Sequence, residues 1–182
     1  MNYKDFFKNE IFEDIRYDEM MKKHTSFKIG GPADVLIIAK RDDEIINAMR
    51  ICKENNLPYF VMGNGSNLLV TDKGIRGVVI KINEGYDKVI VCENIIQAEA
   101  GALLTAVSKV ALRSSLAGME FASGIPGTIG GAITMNAGAY GGEMKDIVKS
   151  VRILSNDGQI MELTNEEMDF RYRNSKVKDN DW

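Results

Sequence analysis

The sequence carries one histidine, two cysteines and no run of more than two consecutive basic residues. Each scarcity removes a class of function. A single histidine, His24, excludes a multi-histidine metal site, and as a lone residue beside a turn it reads as structural rather than catalytic. Cys52 and Cys92 have no metal-ligand spacing and read as two buried, reduced thiols. With 23 basic residues against 26 acidic ones there is no cationic stripe to follow a phosphate backbone, so nucleic acid is not an expected partner. The N-terminal "MNYKDFFKNEIFEDIRYDEMMKK" mixes charges throughout and has no apolar h-region, so it does not read as a secretory signal, and a cytoplasmic location is expected. No internal repeat or low-complexity tract interrupts the chain.

What the sequence has in abundance is glycine in one place. Phe121 to Gly142 is free of charge and long enough to cross a bilayer, but it holds seven of the 17 glycines with a proline and several polar residues. Few large aliphatics offset their transfer cost, so a membrane span is not expected. Glycine at this density suits a backbone that must turn with positive φ, or that a ligand must approach without a Cβ in the way.

The chain's 45% hydrophobic composition is that of a globular protein with a buried core. Phe6, Phe7, Ile11, Ile15 and Met20 fall near helical spacing and predict an amphipathic helix over residues 5 to 22. Next come a strand at Val35 to Lys40, a helix in "RDDEIINAMRICKENN" with acidic residues at its start, and strands in "LPYFVMG" and Gly77 to Ile82. This order predicts a small βαβ lobe with a parallel pair. Further on, "KVIVCEN" and "IIQAEAG" predict two strands about a turn at Glu93 and Asn94, and Ala102 to Leu116 a helix. Asn156, Asp157 and Gly158 predict a hairpin between "KSVRILS" and "QIMEL". Thr164 and Glu167 form a capping-box pair for a short helix, "NEEMDF". The expected organisation is α+β with two lobes, residues 1–84 and 85–182.

Two glycine clusters carry the chemistry. "GNGSNLLV", Gly63 to Val70, follows a strand directly, and backbone N–H groups in such a turn with Ser66 and Asn67 beside them can cradle a phosphate. It is neither a Rossmann fingerprint, since the third glycine is missing, nor a P-loop, since no lysine follows. Asn64, Gly65 and Ser66 also spell a glycosylation acceptor, discounted for want of a secretion signal. In the second cluster, "GIPGTIGGA" offers N–H groups and Thr128 at the start of a short helix, and "NAGAYGG" a further turn anchored by Asn136. Two anion sites, one per lobe, suit a single extended ligand with a diphosphate, such as a dinucleotide cofactor.

At these residues the sequence resembles the bacterial UDP-N-acetylenolpyruvoylglucosamine reductases, the MurB flavoenzymes of peptidoglycan precursor synthesis. The resemblance runs through "HTSFKIGGPAD", "GNGSNLLV", "ASGIPGTIGGAITMNAGAYGGE" and "FRYRNS". It implies a PCMH-type, vanillyl-alcohol-oxidase-like domain of two α+β subdomains with FAD bound between them. By motif, the implied FAD contacts are Gly63, Asn64, Gly65, Ser66, Asn67, Leu68, Gly101, Gly124, Ile125, Pro126, Gly127, Thr128, Asn136, Gly138 and Ala139. The implied activity is hydride transfer from NADPH through FAD to the enolpyruvyl double bond of a UDP-sugar, giving UDP-N-acetylmuramate. Arg173 matches the arginine that stabilises the developing enolate charge, with Tyr172 and Tyr140 as substrate contacts. No metal is implied, and the parent enzyme is expected to be monomeric.

The resemblance stops short of the family's substrate domain, because the chain ends at Trp182, within ten residues of Arg173. The family's proton-donating serine and its partner glutamate therefore have no counterpart here, and Ser175, part of "YRNS", is not that serine. The tail "KVKDNDW" replaces the aromatic that often follows it. Two alternatives stay open: a flavin-binding module without turnover of its own, and another flavin oxidase of the same fold, with His24 the one histidine available for a covalent flavin link.

Overall fold

The computed structural model describes residues 2 to 180; Met1, and Asp181 and Trp182 of the tail, lie outside the described residues. The chain divides into two compact units between Tyr86 and Asp87.

The first unit is built on a four-stranded sheet. Helix α1 (Lys4–Phe7) is one turn long and buries Phe7. Strands β1 (Ile15–Met20), β2 (Pro32–Ala39), β3 (Tyr59–Met62) and β4 (Ile75–Ile82) take the order β1-β2-β4-β3. β1 pairs antiparallel to β2, while β2/β4 and β3/β4 are parallel, so helix α2 (Asp42–Glu54) is the crossover of a βαβ unit. β2 is interior to the sheet, and Val35, Leu36 and Ile37 are all fully buried, as expected of a strand covered on both faces. α2 turns Ile45, Ala48, Met49, Ile51 and Cys52 inward. The buried Glu44 accepts the backbone N–H groups of Glu13 and Lys40 at 2.8 Å each, tying α2 to the strand ends.

The predicted helix over 5 to 22 is not formed. Only Lys4–Phe7 is α-helical, and Ile15–Met20 is a strand in which half-buried Ile15, Tyr17 and Glu19 alternate with exposed Arg16 and Asp18. The apolar spacing fits both periods. The free backbone groups of β2 decide it, because they need a partner that a helix cannot supply. Ile11, assigned to the apolar face of that helix, is 87% exposed.

The second unit is assembled from short pieces. Strands β5 (Val89–Cys92) and β6 (Ile95–Ala98) form a ribbon about Glu93, whose φ is 54°. Helix α3 (Leu104–Arg113), a 3-10 turn at Glu120–Gly124 and helix α4 (Ile129–Thr134) follow. Hairpins β7 (Gly138–Ala139) with β8 (Gly142–Glu143), and β9 (Ser150–Leu154) with β10 (Ile160–Thr164), lead to helix α5 (Lys176–Asp179). Leu104, Phe121, Ile133, Met144, Ile153, Met168 and Val177 make the core.

Two further expectations need correction here. Thr164 and Glu167 do bond reciprocally, with the Thr164 N–H to Glu167 Oε2 at 2.8 Å and the Glu167 N–H to Thr164 Oγ1 at 3.3 Å, but they close a turn and no helix follows. Asp169, at φ 44°, leaves the helical region at once. Cys52 is buried as expected, whereas Cys92 is exposed, because the ribbon that carries it turns most of β5 outward.

Candidate functional site

In the first unit the "GNGSN" loop leaves the carboxyl end of β3, where open parallel sheets bind their ligands. Gly65, at φ +64°, is buried, and a Cβ there would stand 2.2 Å from the carbonyl oxygen of His24. Its own carbonyl accepts the Ser26 N–H at 3.1 Å. The loop is therefore locked against the His24–Ser26 turn. Gly63, Asn64, Ser66 and Leu68 are half-buried and Asn67 is exposed. Lys23, His24, Thr25, Ser26, Asn64 and Lys81 line a pocket of about 150 Å³ beside it.

His24 is buried and both ring nitrogens are engaged. Nε2 lies 3.0 Å from Glu19 Oε1 and Nδ1 lies 3.3 Å from Lys81 Nζ. A carboxylate accepts, so Nε2 donates to Glu19 and Nδ1 accepts from the lysine. Burial pushes the imidazole pKa below its ordinary value, and the His24 hydrogen bond holds the Glu19 carboxyl below its own. With both nitrogens in use, His24 is structural, as the sequence suggested, and has no atom to offer a covalent flavin link.

In the second unit Gly101 and Thr128 are buried, Gly127 and Ile125 half-buried, and Gly124 and Pro126 exposed. Thr128 caps α4, its Oγ1 accepting the Gly131 N–H at 3.4 Å. The other first-turn amides are engaged as well: the Ile129 N–H with Ala102 O and the Gly130 N–H with Ala100 O, both at 2.8 Å. The three first-turn amides of α4 are thus all engaged within the chain. What the segment offers instead is an uncharged, open surface, since a Cβ on Gly124 would meet nothing within 4 Å. Such a surface suits an apolar ring.

Asn136 is buried and holds the unit together: its Nδ2 donates to the Glu143 carboxylate and, at 3.2 Å, to Arg171 O, while Oδ1 accepts the Lys145 N–H at 3.0 Å. Its side chain serves the fold. Gly138 and Ala139 lie half-buried in β7. The β7–β8 turn is made by Tyr140 and Gly141, both at positive φ, the two-residue hairpin geometry that follows the natural strand twist, and Tyr140 is 98% exposed. Tyr172 and Arg173 occupy the centre of a second tight turn, closed by Arg171 N–H to Asn174 O at 3.0 Å and Asn174 N–H to Arg171 O at 3.1 Å. Arg173, at φ 53°, stacks its guanidinium 5.6 Å from the Tyr172 ring centroid and has no carboxylate in ion-pair range among the described residues. Its neighbour Arg171 is bridged to Asp169 and Asp179 instead. Ser175 is fully buried and donates to Thr134 O at 3.1 Å, so it positions this turn against α4.

Sequence reasoning missed Lys81, Thr25 and Ser26 as part of the site. The signal was a lone lysine in the otherwise apolar strand "GVVIKI".

The first unit thus carries a locked glycine loop beside a cationic pocket, and the second an open, uncharged glycine segment. The chain belongs to the FAD binding domain family, which it matches over residues 33–164. Its fold is the α+β, PCMH-type fold of that family. Among curated proteins it is 51% identical over 168 residues to the UDP-N-acetylenolpyruvoylglucosamine reductase of Clostridioides difficile (strain 630), covering 92% of this chain and 55% of that one. It is 56% identical over 161 residues to the enzyme of the same name from Alkaliphilus oremlandii (strain OhILAs), covering 88% and 53%. The crystal structure of the UDP-N-acetylenolpyruvylglucosamine reductase (MurB) from Thermus caldophilus superposes with a TM-score of 0.76 at 35% identity, over 89% of this chain and 57% of that one. The chain thus spans about half the length of the curated relatives it matches. No helix among the described residues is long and apolar enough to cross a membrane.

Proposed function

We propose that the chain is the FAD-binding part of a cytoplasmic UDP-N-acetylenolpyruvoylglucosamine reductase, which reduces the enolpyruvyl group of its UDP-sugar to give UDP-N-acetylmuramate at the expense of NADPH. The observation that carries this reading is the 51% to 56% identity to enzymes of that name over nine-tenths of the chain. Bound FAD would supply the hydride relay between NADPH and the enolpyruvyl double bond.

The chain's own residues act around that relay. The loop Gly63 to Leu68 receives the diphosphate, and Gly124 to Gly127 let the flavin lie against backbone. Gly101, Gly138 and Ala139 are further flavin contacts of the second unit, while Thr128 and Asn136 hold those segments in shape. Hydride addition beside a carboxylate builds negative charge on the substrate, and the Arg173 guanidinium, which has no ion-pair partner among the described residues, is suited to stabilise that charge more than the ground state. Tyr172 fixes the guanidinium plane by stacking, and exposed Tyr140 reaches the UDP-sugar.

The test is flavin stoichiometry on the purified chain, followed by NADPH oxidation with and without the enolpyruvyl UDP-sugar. Near one FAD per chain is expected; a chain that takes up no FAD sinks the proposal. Substrate-stimulated turnover by this chain alone would rule out a module without activity of its own.

A further inference from the structure

Lys81 is the penultimate residue of β4, an interior strand, with Ile38 of β2 and Met62 of β3 as its register partners. It is 7% exposed. A buried ammonium is costly unless paired, and buried lysines are accordingly found with a counter-ion. Among the described residues Lys81 has no carboxylate in ion-pair range; its one hydrogen bond is to Nδ1 of His24, a neutral acceptor already anchored through Nε2 to Glu19. Glu19 is itself engaged by Lys23 at 3.2 Å and Arg16 at 3.5 Å, so its charge is shared before it reaches the lysine. The ammonium carries three protons, and His24 accepts one. It lines the pocket beside the "GNGSN" loop together with Ser26 and Asn64.

We infer that Lys81, oriented by His24, is the cationic floor of a phosphoryl-binding site that opens between Ser26 and Asn64. Two features favour an anion over a buried water as the occupant. Lys81 and Lys23 line the pocket with no carboxylate among its lining residues, Glu19 and Glu84 acting on it only from outside that lining, and the pocket sits at the carboxyl ends of parallel β3 and β4 with Asn64 of the glycine loop in its wall. Burial lowers the Lys81 pKa, and a bound phosphate anion would raise it again by stabilising the ammonium. His24 is a positioning residue: its Glu19 bond fixes the tautomer that turns Nδ1 toward the lysine.

Which phosphoryl group enters rests on the FAD reading above; that the site takes one does not. The sources to separate are the diphosphate of FAD and that of the UDP-sugar. The 182-residue chain is titrated with millimolar inorganic pyrophosphate and followed by NMR at the Ser26 and Asn64 amides and the His24 ring. The wild-type chain is expected to shift at these positions and Lys81→Met is not, while Lys81→Arg keeps the response. FAD, riboflavin and UDP affinities are then compared. Lys81→Met is expected to weaken FAD at least tenfold and leave riboflavin, which has no phosphate, unchanged, while raising the melting temperature of the ligand-free chain by removing an uncompensated buried charge. A loss confined to UDP would support the site and assign it to the sugar nucleotide. A wild-type chain that responds to pyrophosphate but takes up no FAD sinks the flavin reading and supports the site. No pyrophosphate response in the wild type overturns the inference even if the methionine variant does not fold, and so does unchanged binding of all probes by a folded Lys81→Met.

Discussion

A Cβ placed on Gly65 would lie 2.2 Å from the carbonyl oxygen of His24, closer than any side-chain carbon sits to backbone in a real protein. The close approach binds the glycine loop to the turn that carries the buried histidine, and the positive φ of 64° adds a second reason for glycine. Gly65→Ala is therefore expected to cost about 2 kcal/mol or more of stability. A urea midpoint equal to that of the parent would show that the loop yields without cost.

Gly124 is the contrasting case. Nothing lies within 4 Å of its Cβ position, so Gly124→Ala should leave stability within about 0.5 kcal/mol of the parent. A methyl group there instead intrudes on the surface offered to the flavin, and FAD affinity should fall. Equal affinity by flavin fluorescence titration would remove Gly124 from the contact surface.

Asn136 makes three hydrogen bonds from a buried position, two to the stretch 143–145 and one to Arg171. Asn136→Ala orphans the Lys145 N–H, the Arg171 carbonyl and part of the Glu143 carboxylate, at a cost of about 2–4 kcal/mol. The measurement is chemical unfolding of the second unit, and a loss below about 1 kcal/mol would mean water replaces the strut.

The folded pKa of His24 is depressed, chiefly by burial, so between its unfolded value near 6.5 and the lower folded value the unfolded chain binds the extra proton. Stability contributed by neutral His24 is thus complete above that range and is lost as pH falls through it. Unfolding free energies measured across this window should slope upward with pH, and the slope should flatten in His24→Gln.

The two thiols should differ sharply toward a thiol reagent. Cys52 is buried and its pKa is pushed up to about 12, while Cys92 is exposed. One fast-reacting thiol in the folded chain and two after denaturation are expected; Cys92→Ser should abolish the fast phase.

In a full-length enzyme carrying this segment, Arg173→Met should lower turnover by two to four powers of ten, about 3 to 5 kcal/mol of transition-state stabilisation, with flavin retained. A variant turning over at the parent's rate would remove Arg173 from the chemistry.

The elements that could be read from the sequence were those whose cause is local. α2 has its acidic first turn, β9 and β10 their Asn156–Gly158 turn, and α4 its Thr128 cap, each within a few residues of the structure it produces. β1 could not be read that way, because its strand state depends on β2, about twenty positions on, and its apolar spacing fits a helix equally well. The Thr164–Glu167 pair shows the converse: the local bonds form, but the turn ends before a helix can grow. The glycine motifs could be read as close-approach positions from the sequence, as Gly65 shows, whereas Lys81 stayed hidden because its partner, His24, is 57 positions away and meets it only in the folded sheet.

Arg173 and Tyr140 hold left-handed backbone conformations, at φ 53° and 52°, that glycine or asparagine adopt with less strain. Replacing either by glycine would relieve that strain and could raise stability by up to about 1 kcal/mol, after the entropy that glycine costs. A library of this protein selected only for heat resistance would therefore drift toward loss of the two side chains proposed above to meet a substrate. Screening for thermostable variants has to be coupled to a binding or turnover readout, or it will enrich sturdy proteins with blunted sites.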